Sequence, residues 1–96
     1  MTDHSIDISC NGPTPSVTKV SEGDSVTFHN TTGADVTITF GDSGVFNPSP
    51  GQTITFGTHR YSNSRVLHIG KIGSGTNFDY PDCGRKKDTR SGRIDP

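Results

Sequence analysis

Apolar residues are the scarce component of this sequence. They make up 26% of 96 residues, and adding the 12 glycines brings the figure only to about 38%. Globular chains reach about 45–50% on that wider count. So thin a supply excludes a second core, and residues 1–96 read as a single domain. No stretch approaches the 18 or more apolar residues of a spanning helix, so no membrane span is expected. The polar start Met1-Thr2-Asp3-His4-Ser5 has neither a basic n-region nor an apolar h-region, so this chain shows no secretion signal. No window places apolar residues at i, i+3, i+4 and i+7, which excludes helices longer than a turn or two. Catalytic motifs are missing too: Gly-x-Ser-x-Gly, His-Glu-x-x-His and the phosphate-binding Gly-x-x-x-x-Gly-Lys-Ser/Thr do not occur. Asp79 and Asp82 flank a turn proline, where solvated carboxylates are common, and an enzyme is not expected.

The sequence is rich in 13 threonines, 11 serines and 12 glycines. Threonine covers a sheet face with its methyl group, and glycine and proline supply turns. Alternation is clearest in Ser25-Val26-Thr27-Phe28-His29-Asn30, in Val36-Thr37-Ile38-Thr39-Phe40 and in Gln52-Thr53-Ile54-Thr55-Phe56. Further strands are expected at Ser5–Ser9, Val17–Val20, Arg65–Ile69 and Asn77–Tyr80, punctuated by Glu22-Gly23-Asp24, Gly41–Gly44, Asn47–Gly51 and Gly73–Gly75. The sum is an all-β, Greek-key β-sandwich of about six to eight short strands. Gly70–Gly75 reads as a hairpin turn, because no helical pattern follows it to complete a phosphate nest.

Charge is unevenly placed. From Gly84 to Pro96, Arg85, Lys86, Lys87, Arg90 and Arg93 face only Asp88 and Asp95, a surplus of three. The chain's net charge is −1, so the other 83 residues are four charges negative. A basic C-terminal segment 84–96 is compatible with nucleic-acid binding, but no aromatic residue is interleaved for base stacking, and a solvated surface segment is the favoured reading. Cys10 and Cys83 are the only cysteines. They form either one disulfide or two unrelated thiols. A bridge would add about 4 kcal/mol in the chain-entropy model. It would also place the chain outside the cytoplasm. His4, His29, His59 and His68 show no metal-ligand spacing, and His29 shares the outward face with Thr27.

The order of these pieces resembles the cupredoxin family. Val20-Ser21-Glu22-Gly23-Asp24-Ser25-Val26-Thr27-Phe28-His29-Asn30 is similar to its V-x-x-G-D-x-V-x-F-x-N strand entry. Pro50-Gly51-Gln52-Thr53-Ile54-Thr55-Phe56 is similar to its P-G-x-T-x-x-F hairpin. The aromatic pair Phe78 and Tyr80 before Cys83, and Ser91-Gly92-Arg93-Ile94 at the end, complete the likeness over roughly residues 17–94. The resemblance implies a blue-copper site of two imidazoles, a thiolate and a weak axial thioether. Carried over position by position, the first imidazole falls on Val36. No histidine follows Cys83 within Gly84–Lys87, and the thioether falls on Arg90. Tyr80 and Phe78 lie three and five residues before Cys83, an odd offset that turns Cys83 to the other face unless Pro81 marks a bulge.

The leading expectation is therefore a non-catalytic, cupredoxin-like binding or structural module that lacks a type-1 copper site and needs no cofactor. A protein partner would meet the end of the sandwich carrying Asn30, Asp35, Arg85, Lys86, Lys87 and Arg90. Two alternatives remain open. One is a copper-binding protein, for electron transfer or copper handling, using Cys83 with His29 and His68. The other is a nucleic-acid-binding barrel that uses the basic tail.

Overall fold

A computed structural model describes the backbone of residues 2–82 and 85–96, and the side chains of these except 82 and 85–88. Nine strands follow in order: β1 (Asp3–Ser9), β2 (Gly12–Thr14), β3 (Val17–Lys19), β4 (Ser25–Asn30), β5 (Val36–Phe40), β6 (Thr53–Phe56), β7 (Ser64–His68), β8 (Thr76–Asp82) and β9 (Arg85–Asp95). A single 3-10 turn, Ser43–Val45, is capped by the Asp42 carboxylate, which accepts from the Gly44 N–H at 2.9 Å. The strands form two sheets, ordered β2-β1-β4-β7 and β3-β9-β8-β5-β6. Parallel pairs β1–β4 and β3–β9 sit within otherwise antiparallel ladders, so the chain crosses between the layers as in a Greek key.

Alternation decides which residues meet between the layers. Ile6 and Ile8 of β1, Val26 and Phe28 of β4 and Leu67 of β7 point in from one sheet. Val36, Ile38, Phe40, Ile54, Phe56, Phe78, Tyr80 and Ile94 point in from the other. Thr37 and Thr55 point out and share a 3.0 Å hydrogen bond across β5–β6. Phe28 is the hub of this narrow core. Its ring centroid lies 5.4 Å from Phe78, edge to face, 5.9 Å from Phe40 and 6.5 Å from Phe56. Aromatic pairs in such geometry contribute roughly 0.5–1.5 kcal/mol each beyond area burial, which compensates for the small number of apolar side chains.

Three features differ from the sequence expectation. Gly12-Pro13-Thr14, not among the expected strands, is an edge strand: its Pro13 is buried and pairs opposite Ile8. Prolines are tolerated on edge strands because the missing N–H would face away from the sheet. The basic run 85–90, expected as a loop, belongs to β9, where Arg90, Thr89 and Arg85 stand opposite Tyr80, Pro81 and Asp82 while the register passes over 86–88. Finally, the β8–β9 register shifts between Pro81 and Asp82: one step along β8 meets the four from Thr89 to Arg85, so the extra residues lie on β9 and not at Pro81, where the odd spacing before Cys83 would need them.

Candidate functional site

One end of the sandwich gathers the end of β1, the 31–35 loop and the 57–63 loop. Asn30 builds it. The residue is 5% exposed, and its Nδ2 donates to the Ala34 carbonyl at 2.8 Å and to the Gly57 carbonyl at 3.0 Å. Its Oδ1 accepts from the Thr32 N–H and the Thr32 hydroxyl at 3.0 and 2.7 Å. One side chain thus ties two loops together. Thr31 fastens the same loop to β1, since its N–H and hydroxyl both donate to the Ile8 carbonyl. Tyr80, 1% exposed, crosses the layers and donates its hydroxyl to the Ser9 carbonyl at 2.8 Å.

The positions implied for copper ligands carry other chemistry. Val36 is a buried apolar residue packed opposite Phe56. Arg90 sits opposite Tyr80 on the inward-facing phase of β9, with a buried Nε. A guanidinium is always charged and has no lone pair to give a metal. Cys10 is disulfide-bonded, and its sulfur rests 3.9 Å from the Thr32 carbonyl. Cys83 lies outside the described residues, as do the side chains of Arg85, Lys86 and Lys87.

The two candidate imidazoles are not brought together. His29 and His68 both stand on the outer face of the four-stranded sheet, but His29 is opposite Ser64 whereas His68 is opposite Ser25. Four residue steps separate them, roughly 13 Å along the strands. His29 instead lies 3.8 Å from the Asp7 carboxylate, both half exposed. Among the described residues, no three His, Cys, Asp or Glu side chains converge as a metal site. Of the expected contact residues, Asp35 is exposed, whereas Asn30 is buried and shapes the surface from beneath.

Sequence reasoning missed the 57–63 loop. Tyr61 is 86% exposed, with the Arg60 guanidinium stacked 4.9 Å from its ring centre and donating to its hydroxyl at 2.9 Å. His59 is exposed beside them. The segment has no alternation, and its turn residues concealed it. A second missed feature lies at the opposite end. The buried Asp24 carboxylate accepts from His4 Nε2 at 2.9 Å, the Ser21 N–H at 2.9 Å and the Thr2 N–H at 3.0 Å. The His4 hydrogen bond, then the Ser21 and Thr2 amides, lower its pKa from 3.8 to about 2.

Comparison with solved structures places this geometry. A copper(I) form of an amicyanin mutant superposes with a TM-score of 0.62 over 97% of this chain and 80% of that one, at 17% identity. A purple cupredoxin from Nitrosopumilus maritimus gives 0.60, covering 97% of this chain and 98% of its own, also at 17% identity. The chain has the cupredoxin fold. A reduced amicyanin mutant agrees at 0.61 and 17% identity, again with 97% and 80% coverage. No family model matches the sequence, and no curated protein sequence matches it. At such identities it is the cupredoxin sandwich that is shared, while the residues at the ligand positions are this chain's own.

Proposed function

We propose that this cupredoxin-fold domain is a copper-free binding module that recognises a protein partner and catalyses no reaction. The observation that carries the reading is Arg90: a fixed cation with a buried Nε stands where the fold's axial thioether is expected. A guanidinium offers a metal no lone pair at that position. Val36 supports the same reading, since an aliphatic side chain donates nothing to a metal. So does the disulfide at Cys10: in a chain of two cysteines, the partner we assign is Cys83, which would then have no thiolate to offer. The contact surface we assign is the loop end, with Asn30, Asp35, Arg85, Lys86, Lys87 and Arg90.

The test is a thiol count on the purified protein followed by titration with Cu(II). The expected result is no titratable thiol and no intense thiolate-to-copper absorption. A stoichiometric visible band that Cys83→Ser abolishes would overturn the reading and favour the copper-binding alternative.

A further inference from the structure

The stretch from Ser43 to Phe78 contains no aspartate or glutamate, yet it carries Arg60, Arg65 and Lys71 with His59 and His68. That stretch supplies β7, the end strand of the four-stranded sheet. Its hydrogen-bond phase is fixed by three contacts to the β4 side. The Asn30 N–H donates to the Asn63 carbonyl, the Ile69 N–H to the Asp24 carbonyl, and the Gly23 N–H to the Ile69 carbonyl. Odd-numbered residues therefore direct their backbone groups into the sheet, and Ser64, Val66 and His68 direct theirs outward. The His68 carbonyl bears this out by accepting from the Asn47 N–H at 2.9 Å on the outer side. Above that contact, Ser64 and Val66 turn two N–H and two C=O groups away from the sheet. Ser64, Arg65 and Val66 are all exposed. Among the described residues, no further strand pairs with this edge.

We propose that the β7 edge docks an extended acidic segment of a protein partner by strand addition. Main-chain hydrogen bonds to Ser64 and Val66 would supply the register, as in other edge-strand complexes. Val66, 51% exposed, offers an apolar contact on the outer face. The cations select the partner. A second β7 laid against this edge would set like charges beside one another, the usual device by which edge strands resist self-pairing, while carboxylates find Arg65 on a stretch that holds no acid of its own. β7 begins directly after the 57–63 loop, but the edge groups of Ser64 and Val66 use none of the positions implied for copper ligands.

The probe is the synthetic peptide acetyl-Thr-Glu-Val-Glu-Val-Glu-Thr-amide, added to the isotope-labelled full chain, with its Glu-to-Lys counterpart as control. The acidic peptide is expected to shift resonances over 64–68 and to slow amide exchange at Ser64 and Val66; the lysine peptide should do neither. Arg65→Glu should weaken binding about three- to tenfold, twice the effect of an exposed ion pair, and added salt should weaken it further. Val66→Pro should abolish protection, because the N–H it removes points outward and the β4 ladder is left intact. Arg65→Glu, an exposed change, keeps the test valid where the proline variant fails to fold. Equal binding of both peptides, absence of protection at saturating peptide, or protection of the same amides by self-association alone would each overturn the proposal.

Discussion

Gly92 should resist replacement although its φ is ordinary, and Gly92→Ala offers a test in which two effects of opposite sign compete. Its backbone is not left-handed, since the positive-φ glycines are Gly12, Gly23, Gly33, Gly51, Gly73 and Gly75. On backbone entropy alone, alanine would therefore stabilise the strand by roughly 0.5–1 kcal/mol. Sterics oppose this. A Cβ at Gly92 would stand 2.8 Å from Pro13 Cγ and 2.9 Å from Phe78 Cε1, and closer still to Phe78 Cζ. Neither neighbour has anywhere to go. Phe78 is 1% exposed and meets the Phe28 ring edge to face, and Pro13 is buried on β2 of the facing sheet. Overpacking of this kind costs about 1–3 kcal/mol, so the net expectation is destabilisation of about 1–2 kcal/mol. For a domain of this size that lowers Tm by roughly 4–16 °C. Urea and thermal unfolding measure it. In a Phe78→Leu background the penalty of Gly92→Ala should shrink, giving a coupling of at least about 0.5 kcal/mol. An unchanged or raised Tm, or strict additivity in the double variant, would refute the claim that close sheet packing requires glycine here.

Two further predictions concern the two ends of the sandwich. Asn30→Ala removes the donors that reach the Ala34 and Gly57 carbonyls and the acceptor for Thr32, so a loss of about 2–3 kcal/mol is expected, with faster amide exchange confined first to 31–35 and 57–63. Uniform destabilisation without loop loosening would contradict the clamp. At the other end, the Asp24 pKa lies near 2 when folded against an ordinary 3.8. A depressed carboxylate contributes fully above its unfolded pKa and loses that contribution as pH falls through its folded one. Wild-type Tm should therefore fall more steeply between pH 4 and pH 2 than that of Asp24→Asn, and parallel curves would show that the His4, Ser21 and Thr2 contacts do not carry acid stability.

The readable parts of this molecule are those in which a local pattern and the tertiary environment agree. Val26/Phe28, Val36/Ile38/Phe40 and Ile54/Phe56 alternate with polar residues, so their strands and buried faces are evident from period two. Val36 and Arg90 were legible as departures from a ligand set because flanking motifs fixed their positions. Pairing across the sheets was not legible. His4 reaches Asp24 only because β1 lies parallel to β4, a contact twenty residues apart that no local pattern encodes. The assignment of 85–90 to β9 was hidden because the pairing of Arg85, Thr89 and Arg90 depends on the partner strand and not on a local alternation. The open edge at β7 was hidden for the same reason, since an edge is a property of sheet order and not of the strand's own residues.

What the concealed contacts have in common bears on how the two ends of the sandwich are closed. Asn30 ties the 31–35 and 57–63 loops, Thr31 and Tyr80 fasten that end to β1, and Asp24 fastens the opposite end to the N-terminal strand. Each bond joins segments distant in sequence and uses a side chain that is buried or close to the backbone it holds. The ends of the sandwich are therefore closed by polar protein groups, and the middle by the Phe28 aromatic cluster. With closure distributed in this way, the sandwich is held by groups other than Val36 and Arg90, which agrees with the copper-free module proposed above, whose proposed contact surfaces are the loop end and the β7 edge.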